Sequence, residues 1–174
     1  MDDIDIIKQN NSNKDIVLEQ VRKKGTLLEW ASNELKDDKN VVLEAVKQDG
    51  GALEFASDRL KDDKDVLLKS LEKVGWVICY ASERLKDDKE VVLKAAKNDG
   101  QCLYYASQKL RDDKEVVLEA VKNKAIILKY ASKELRNDKD IAIAAISQNK
   151  KSLSYISDEL KKDEDILKIL NPDN

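Results

Sequence analysis

Histidine is missing from this 174-residue chain. Its absence removes the most common general base near neutral pH, the Ser-His-Asp arrangement and every imidazole metal ligand. Cysteine is scarce: Cys79 and Cys102 are the two, too few for a disulfide framework and without a C-x-x-C pair. A reducing, cytoplasmic setting is the expectation. The two cysteines fall at different helical phases, so no disulfide is expected between them. Proline occurs once, as Pro172, placed to stop a final helix. Neither G-x-x-x-x-G-K-[ST] nor G-x-G-x-x-G is present. No apolar run approaches the ~20 residues that span a bilayer. The acidic opening, Met1-Asp2-Asp3-Ile4-Asp5, does not look like a secretory leader.

Charge is what the chain has in excess. Charged residues make up 39%, against about 25% in an ordinary globular domain. Lys and Arg number 32 and Asp and Glu 35, for a formal net charge of −3. The signs are interspersed, with no basic arm or acidic tail. An elongated repeat protein, with more surface per residue, accommodates such a composition. The footprint of a nucleic-acid-binding protein is missing, and aromatics are only 5%.

One pattern organises the rest. Trp30, Phe55, Tyr80, Tyr105, Tyr130 and Tyr155 stand twenty-five residues apart, and their surroundings recur with them, as in repeat architectures. Register begins at Asn13 with half a unit, so residues 1–24 read as a degenerate half-repeat and 25–174 as six tandem repeats, the last truncated as a cap. Ile4, Ile6 and Ile7 form a short apolar patch expected to pack on the first repeat. In each unit Leu28, Ala31 and Leu35 (i, i+3, i+7) mark one helix face, and Val42, Ala45 and Val46 a second. Two helices of roughly ten residues cannot hold alone, so neighbours must stack. The predicted fold is all-α: one domain, 1–174, an α-solenoid of about six 25-residue two-helix repeats.

The boundaries also repeat. Asp38, Asp63, Asp88, Asp113, Asp138 and Asp163 are the favoured N-caps of the second helix; an alternative frame, Asp87-x-x-Glu90, would make a capping box. Gly25, Gly50, Gly75 and Gly100 read as left-handed helix terminators. Ala125 and Lys150 replace them later, predicting strain there or helices that run on. The Ala-Ser pairs (Ala31-Ser32, Ala56-Ser57 and their copies) read as small mid-helix residues, with each serine bonding a carbonyl one turn back. The preceding aromatics read as core.

Leu53-Glu54-Phe55-Ala56-Ser57-Asp58-Arg59-Leu60-Lys61-Asp62-Asp63-Lys64 and Leu103-Tyr104-Tyr105-Ala106-Ser107-Gln108-Lys109-Leu110-Arg111-Asp112-Asp113-Lys114 resemble the repeats of the domain of unknown function 4116 family, built of tandem L-x-Y-A-S-x-x-L-K-x-D units. The resemblance runs from Asn13 to Leu170. It implies a repeat fold and supplies no activity, cofactor or site residue.

Function is sought where the copies differ. Carboxylates at equal spacing do not form the single convergent cluster of an active site, so no enzyme is expected, and neither a catalytic residue nor a cofactor is assigned. The stacked pairs Asp37/Asp38, Asp62/Asp63, Asp87/Asp88 and Asp112/Asp113 suggest a cation-binding acidic edge. The lysine after each pair and the capping role weigh against that, and no metal ligand is assigned. Lys69, Lys94 and Lys97 are the residues to watch for an alternative, nucleic-acid binding along a Lys-rich face. The favoured function is a non-catalytic scaffold for protein–protein interaction, a monomer or weak homo-oligomer with an unknown protein partner and no membrane association. Two variable positions three apart, those of Thr26 and Glu29, share a face. In the middle copies they become apolar as Trp76, Cys79, Tyr104 and Ile126. These four are the candidate partner patch if exposed, or repeat-packing core if not.

Overall fold

In the computed structural model, which describes residues 2–171, every regular element is an α-helix or a 3-10 helix, with no strand among the described residues. The chain divides into two compact units, 1–85 and 86–174.

Each repeat is built from three pieces rather than two. In the first full copy a six-residue 3-10 helix, Gly25–Trp30, leads to a single α-turn, Asn33–Lys36, and then a ten-residue α-helix, Lys39–Gln48. The two-helix expectation is corrected at Ala31-Ser32. Both residues are extended, with ψ of 157° and 161°, which breaks the predicted first helix. Its apolar spacing is still explained: Gly25, Leu28 and Ala31 are buried, and a step of three is the period of a 3-10 helix. The serine is not mid-helix. It is an N-cap, and Ser32 Oγ accepts from the Leu35 amide at 3.4 Å.

The break frees a backbone donor that ties repeats together. Ser57 N–H donates to the Lys36 carbonyl at 3.0 Å in the first unit, and Ser107 N–H to the Lys86 carbonyl at 3.0 Å in the second. An unbroken helix would spend that donor internally. The long helices supply most of the core. Val41, Val42, Ala45 and Val46 are buried, as are Val116, Val117, Ala120 and Val121, meeting Leu27 and Leu28, or Ile127 and Leu128, from the 3-10 layer. Fragments this short gain their stability from such packing.

Asp38 caps the long helix as expected, accepting from Asn40 N–H at 2.9 Å and Val41 N–H at 3.3 Å. Asp88 accepts from Val91 N–H at 3.2 Å, which selects this frame over the capping box at Asp87. The glycine reading is corrected: no described residue, glycine or other, has positive φ. What glycine supplies is room. A Cβ on Gly25 would collide with the Ala45 carbonyl in the long helix of the same repeat, and one on Gly50 would stand 2.6 Å from the Ser70 carbonyl. Nor do the helices run on or strain at Ala125 and Lys150. They end at Asn123 and Gln148, and 3-10 helices follow, because the position never required a left-handed backbone.

Ahead of the repeats, the helix Asp3–Gln9 buries Ile7, and Lys8 Nζ sits 3.8 Å from the Trp30 ring centroid. The last helix, Glu164–Leu170, ends with Asn171 as its C-cap; the stop assigned to Pro172 lies outside the described residues.

Candidate functional site

The recurring polar residues are occupied in holding copies together. Beyond capping its own helix, Asp63 receives Lys39 Nζ from the preceding repeat at 2.7 Å, and Asp65 shares that lysine at 3.1 Å. In the second unit Lys89 reaches Asp113 and Glu115, each at 2.8 Å, and Lys114 reaches Asp138 and Asp140. Burial pulls the Asp63 and Asp113 carboxyls upward, but Lys39 and Lys89 and the capped amides hold them below the usual carboxylate range. The partner carboxylates hold Lys39, Lys89 and Lys114 above the ordinary lysine value.

The looser aspartates have a different task. Ser57 donates to Asp37, Ser82 to Asp62, Ser107 to Asp87 and Ser132 to Asp112, each across one repeat. In the first unit an arginine completes the clamp. Arg59 Nε donates to both Asp37 oxygens at 3.0 and 3.1 Å, and Arg84 Nε to Asp62 at 3.1 Å. The serine hydrogen bond first, then the arginine, holds the Asp37 and Asp62 carboxyls below the usual range. Side-chain amides join the ends of a copy, Gln48 accepting from Gly25 N–H and Asn123 from Gly100 N–H at 2.9 Å, and Asn123 Nδ2 also donates to the Lys97 carbonyl of the preceding copy at 3.3 Å.

Among the described residues no three Cys, Asp or Glu side chains converge as metal ligands. Nor do the lysines singled out for nucleic acid form one exposed set: Lys69 is paired with Glu72 at 2.6 Å, Lys94 is half-buried, and Lys97 is exposed. Cys102 is buried, its Sγ donating to the Val92 carbonyl at 3.8 Å. Burial pushes that thiol up to about 12, far from a reactive thiolate.

The variable positions lie outside the Lys–Asp and Ser–Asp ties just described, although Gln101 Oε1 accepts from Lys124 Nζ at 2.6 Å. These positions are the second and fifth residues of each six-residue 3-10 helix, where residues three apart eclipse one another; in the copy that begins at Gly100 the corresponding helix, Cys102–Tyr105, is α, with Gln101 at its N-cap and Tyr104 within it. In the first unit the row holds Thr26 and Glu29, Gly51 and Glu54, Trp76 and Cys79. Trp76 is 42% exposed. Its six-membered ring lies over Gly51, 3.6 Å from where a Cβ would stand, and it meets Tyr80 edge-on with centroids 5.9 Å apart. Beside this row a groove of about 400 Å³ is lined by Asn33, Lys36, Glu54, Phe55 and Lys61.

In the second unit the corresponding row holds Gln101 and Tyr104, Ile126 and Lys129, Lys151 and Ser154. Tyr104 is 54% exposed. It packs edge-on against both Tyr105 and Tyr130, with centroids 4.9 Å apart in each case. Lys129 Nζ stands 4.7 Å from the Tyr130 centroid. Ile126 is half-buried, three residues before Lys129 on the same 3-10 helix.

Of the four predicted residues, Trp76 and Cys79 thus share a 3-10 turn in the first unit, and Tyr104 and Ile126 lie in the second. Trp76 and Tyr104 are exposed at the surface, although each ring also touches a neighbouring copy, Trp76 at Gly51 and Tyr104 at Tyr130. The aromatic that marks each repeat is not core: Trp30, Phe55, Tyr80 and Tyr130 are half-buried, and Tyr105 is exposed. Sequence reasoning missed Tyr105, Tyr130 and Lys129 as members of the cluster, having assigned that aromatic column to the interior. The signal was the serine two places on, which breaks the helix and turns the aromatic outward.

A family model described as a domain of unknown function, DUF4116, matches residues 13–61, 38–86, 63–111, 113–161 and 138–170. No curated protein and no solved structure matches. No helix among the described residues is long and apolar enough to cross a membrane.

Proposed function

We infer function from the premise that this chain belongs to the DUF4116 family, whose name carries no activity, and we propose a non-catalytic scaffold for protein–protein interaction. The finer architecture in this reading is an α-solenoid of about six 25-residue repeats, working in a reducing compartment. One observation carries it. Polar residues that recur are spent between neighbouring copies, while the positions that vary are outward and carry the large exposed hydrophobics Trp76 and Tyr104. Exposed Trp and Tyr are what protein partners bury most profitably. Within each unit the Lys–Asp, Ser–Asp and backbone ties join neighbouring copies, which would limit the ordering cost of binding.

The test is affinity capture from the native cell with the wild-type chain and with Trp76→Ala/Tyr104→Ala. A partner retained by the wild type and lost by the double variant, at unchanged folded content, is the expected result. Equal capture by both would reject these residues as the contact.

A further inference from the structure

We infer that the outward row of the second unit is a docking surface for an acidic, extended peptide segment carrying an apolar side chain. The inference rests on the interaction-scaffold reading and adds the chemistry of the partner.

Charge complementarity selects the occupant. Along this row Lys129 and Lys151 are exposed, and none of its six positions is a carboxylate. The equivalent row of the first unit carries Glu29 and Glu54 and no cation. The same 25-residue frame therefore presents opposite signs in the two units. The lysines of this row also differ from those of the inter-repeat ladder. Lys89, Lys114 and Lys139 are held by paired carboxylates, whereas Lys129 lies against an aromatic ring. A cation over an aromatic face is only partly satisfied and still accepts a carboxylate. Tyr104, Tyr105 and Tyr130 supply apolar ring surface beside it.

Ring geometry argues for peptide over single-stranded nucleic acid. Bases need open, parallel ring faces. Here the Tyr104–Tyr105 and Tyr104–Tyr130 planes meet at 81° and 63°, so ring faces are already taken by neighbouring edges. Ile126, half-buried beside Lys129, offers an aliphatic contact suited to a Leu or Phe side chain rather than to a base.

The experiment is fluorescence anisotropy on the full chain with three labelled probes: a twelve-residue peptide of repeating Glu-Phe-Glu-Asp, its charge-reversed Lys-Phe-Lys-Lys counterpart, and a twelve-nucleotide oligo-dT. Saturable binding of the acidic peptide is expected, at least about tenfold tighter than either control. It should weaken about tenfold or more in Lys129→Glu/Lys151→Glu and in Tyr104→Ala, and remain unchanged in Trp76→Ala. Lys129→Gln/Lys151→Gln, with a circular dichroism spectrum matching the wild type, guards against a folding defect and should also weaken binding. Failure to bind the acidic peptide, binding that survives these substitutions, or equal binding of oligo-dT would overturn the inference. So would self-association abolished by the same lysine variants, which would assign the face to the acidic row of a second copy. Native capture that depends on Trp76 but not on Lys129 and Lys151 would reject this inference and leave the scaffold reading standing.

Discussion

The two units share one internal plan and differ outside it. Residues 1–85 carry Glu29, Glu54 and Trp76 on the outward 3-10 row and clamp Asp37 and Asp62 with both serine and arginine. Residues 86–174 carry Tyr104, Lys129 and Lys151 on that row. There the serine ties to Asp87 and Asp112 persist, but the arginine position holds Lys109 and Glu134. Apolar packing and backbone ties are what a repeat cannot lose; the outward row and the arginine are adjustable. A repeat array diversifies in this manner because each copy needs only its neighbours to be stable.

If the cores are equivalent, matched core deletions should cost the same in either unit. Leu53→Ala and Leu128→Ala, both at fully buried sites, should each destabilise by about 2–5 kcal/mol in chemical denaturation. A much smaller loss in one unit would break the equivalence. Gly25→Ala and Gly100→Ala come next. Each places a Cβ against a carbonyl in the long helix of its own repeat and should cost about 1–3 kcal/mol as overpacking. A neutral result at both would show that glycine is not required there for room.

A smaller effect of opposite sign is expected at Ser152. This residue is fully buried, and its hydroxyl has no hydrogen-bond partner. Other copies place Leu27, Ala52, Val77 or Ile127 at this position. Ser152→Val should raise stability by roughly 1 kcal/mol, because a buried unpaired hydroxyl is costly. A lowered melting temperature would show that the site cannot take the extra methyl group.

The smallest effect concerns pH. Asp37 and Asp62 are held below the usual carboxylate range by Ser57 and Ser82 first, then by Arg59 and Arg84. A carboxyl lowered in the folded state adds stability above its unfolded value and loses it as pH falls through the folded one. NMR titration should find both carboxyls below the ordinary aspartate range. Arg59→Ala and Arg84→Ala should move each upward without reaching the unfolded value, since the serine bond stays. No movement would mean that the arginine contacts do not persist in solution.

Much of this was legible in the residues. The period, the all-helical class and the Asp38-type cap follow from spacing and capping chemistry. The broken first helix was not, because a step of three fits both an α face and a 3-10 turn, and Leu28-Ala31 satisfies either. The glycine misreading has a similar origin: composition shows that Cβ is unwelcome at Gly25, and only geometry shows that a neighbouring carbonyl, not the backbone angle, is the reason. The Lys–Asp ladder was visible as Lys39-type residues recurring beside the caps, but a partner twenty-four residues away appears only when copies are stacked. At the candidate patch, exposure of Trp76 and Tyr104 depended on where the helix broke, which local pattern could not supply.

The claim that recurring residues hold the fold while variable outward residues are spare for a partner is tested most directly by thermal denaturation of Trp76→Ala/Tyr104→Ala beside Leu53→Ala. The account predicts a double variant that melts within a degree or two of the wild type, as surface changes within about 0.5 kcal/mol would give, while Leu53→Ala falls by many degrees. A double variant that melts as low as Leu53→Ala would contradict it, because Trp76 and Tyr104 would then belong to the packing.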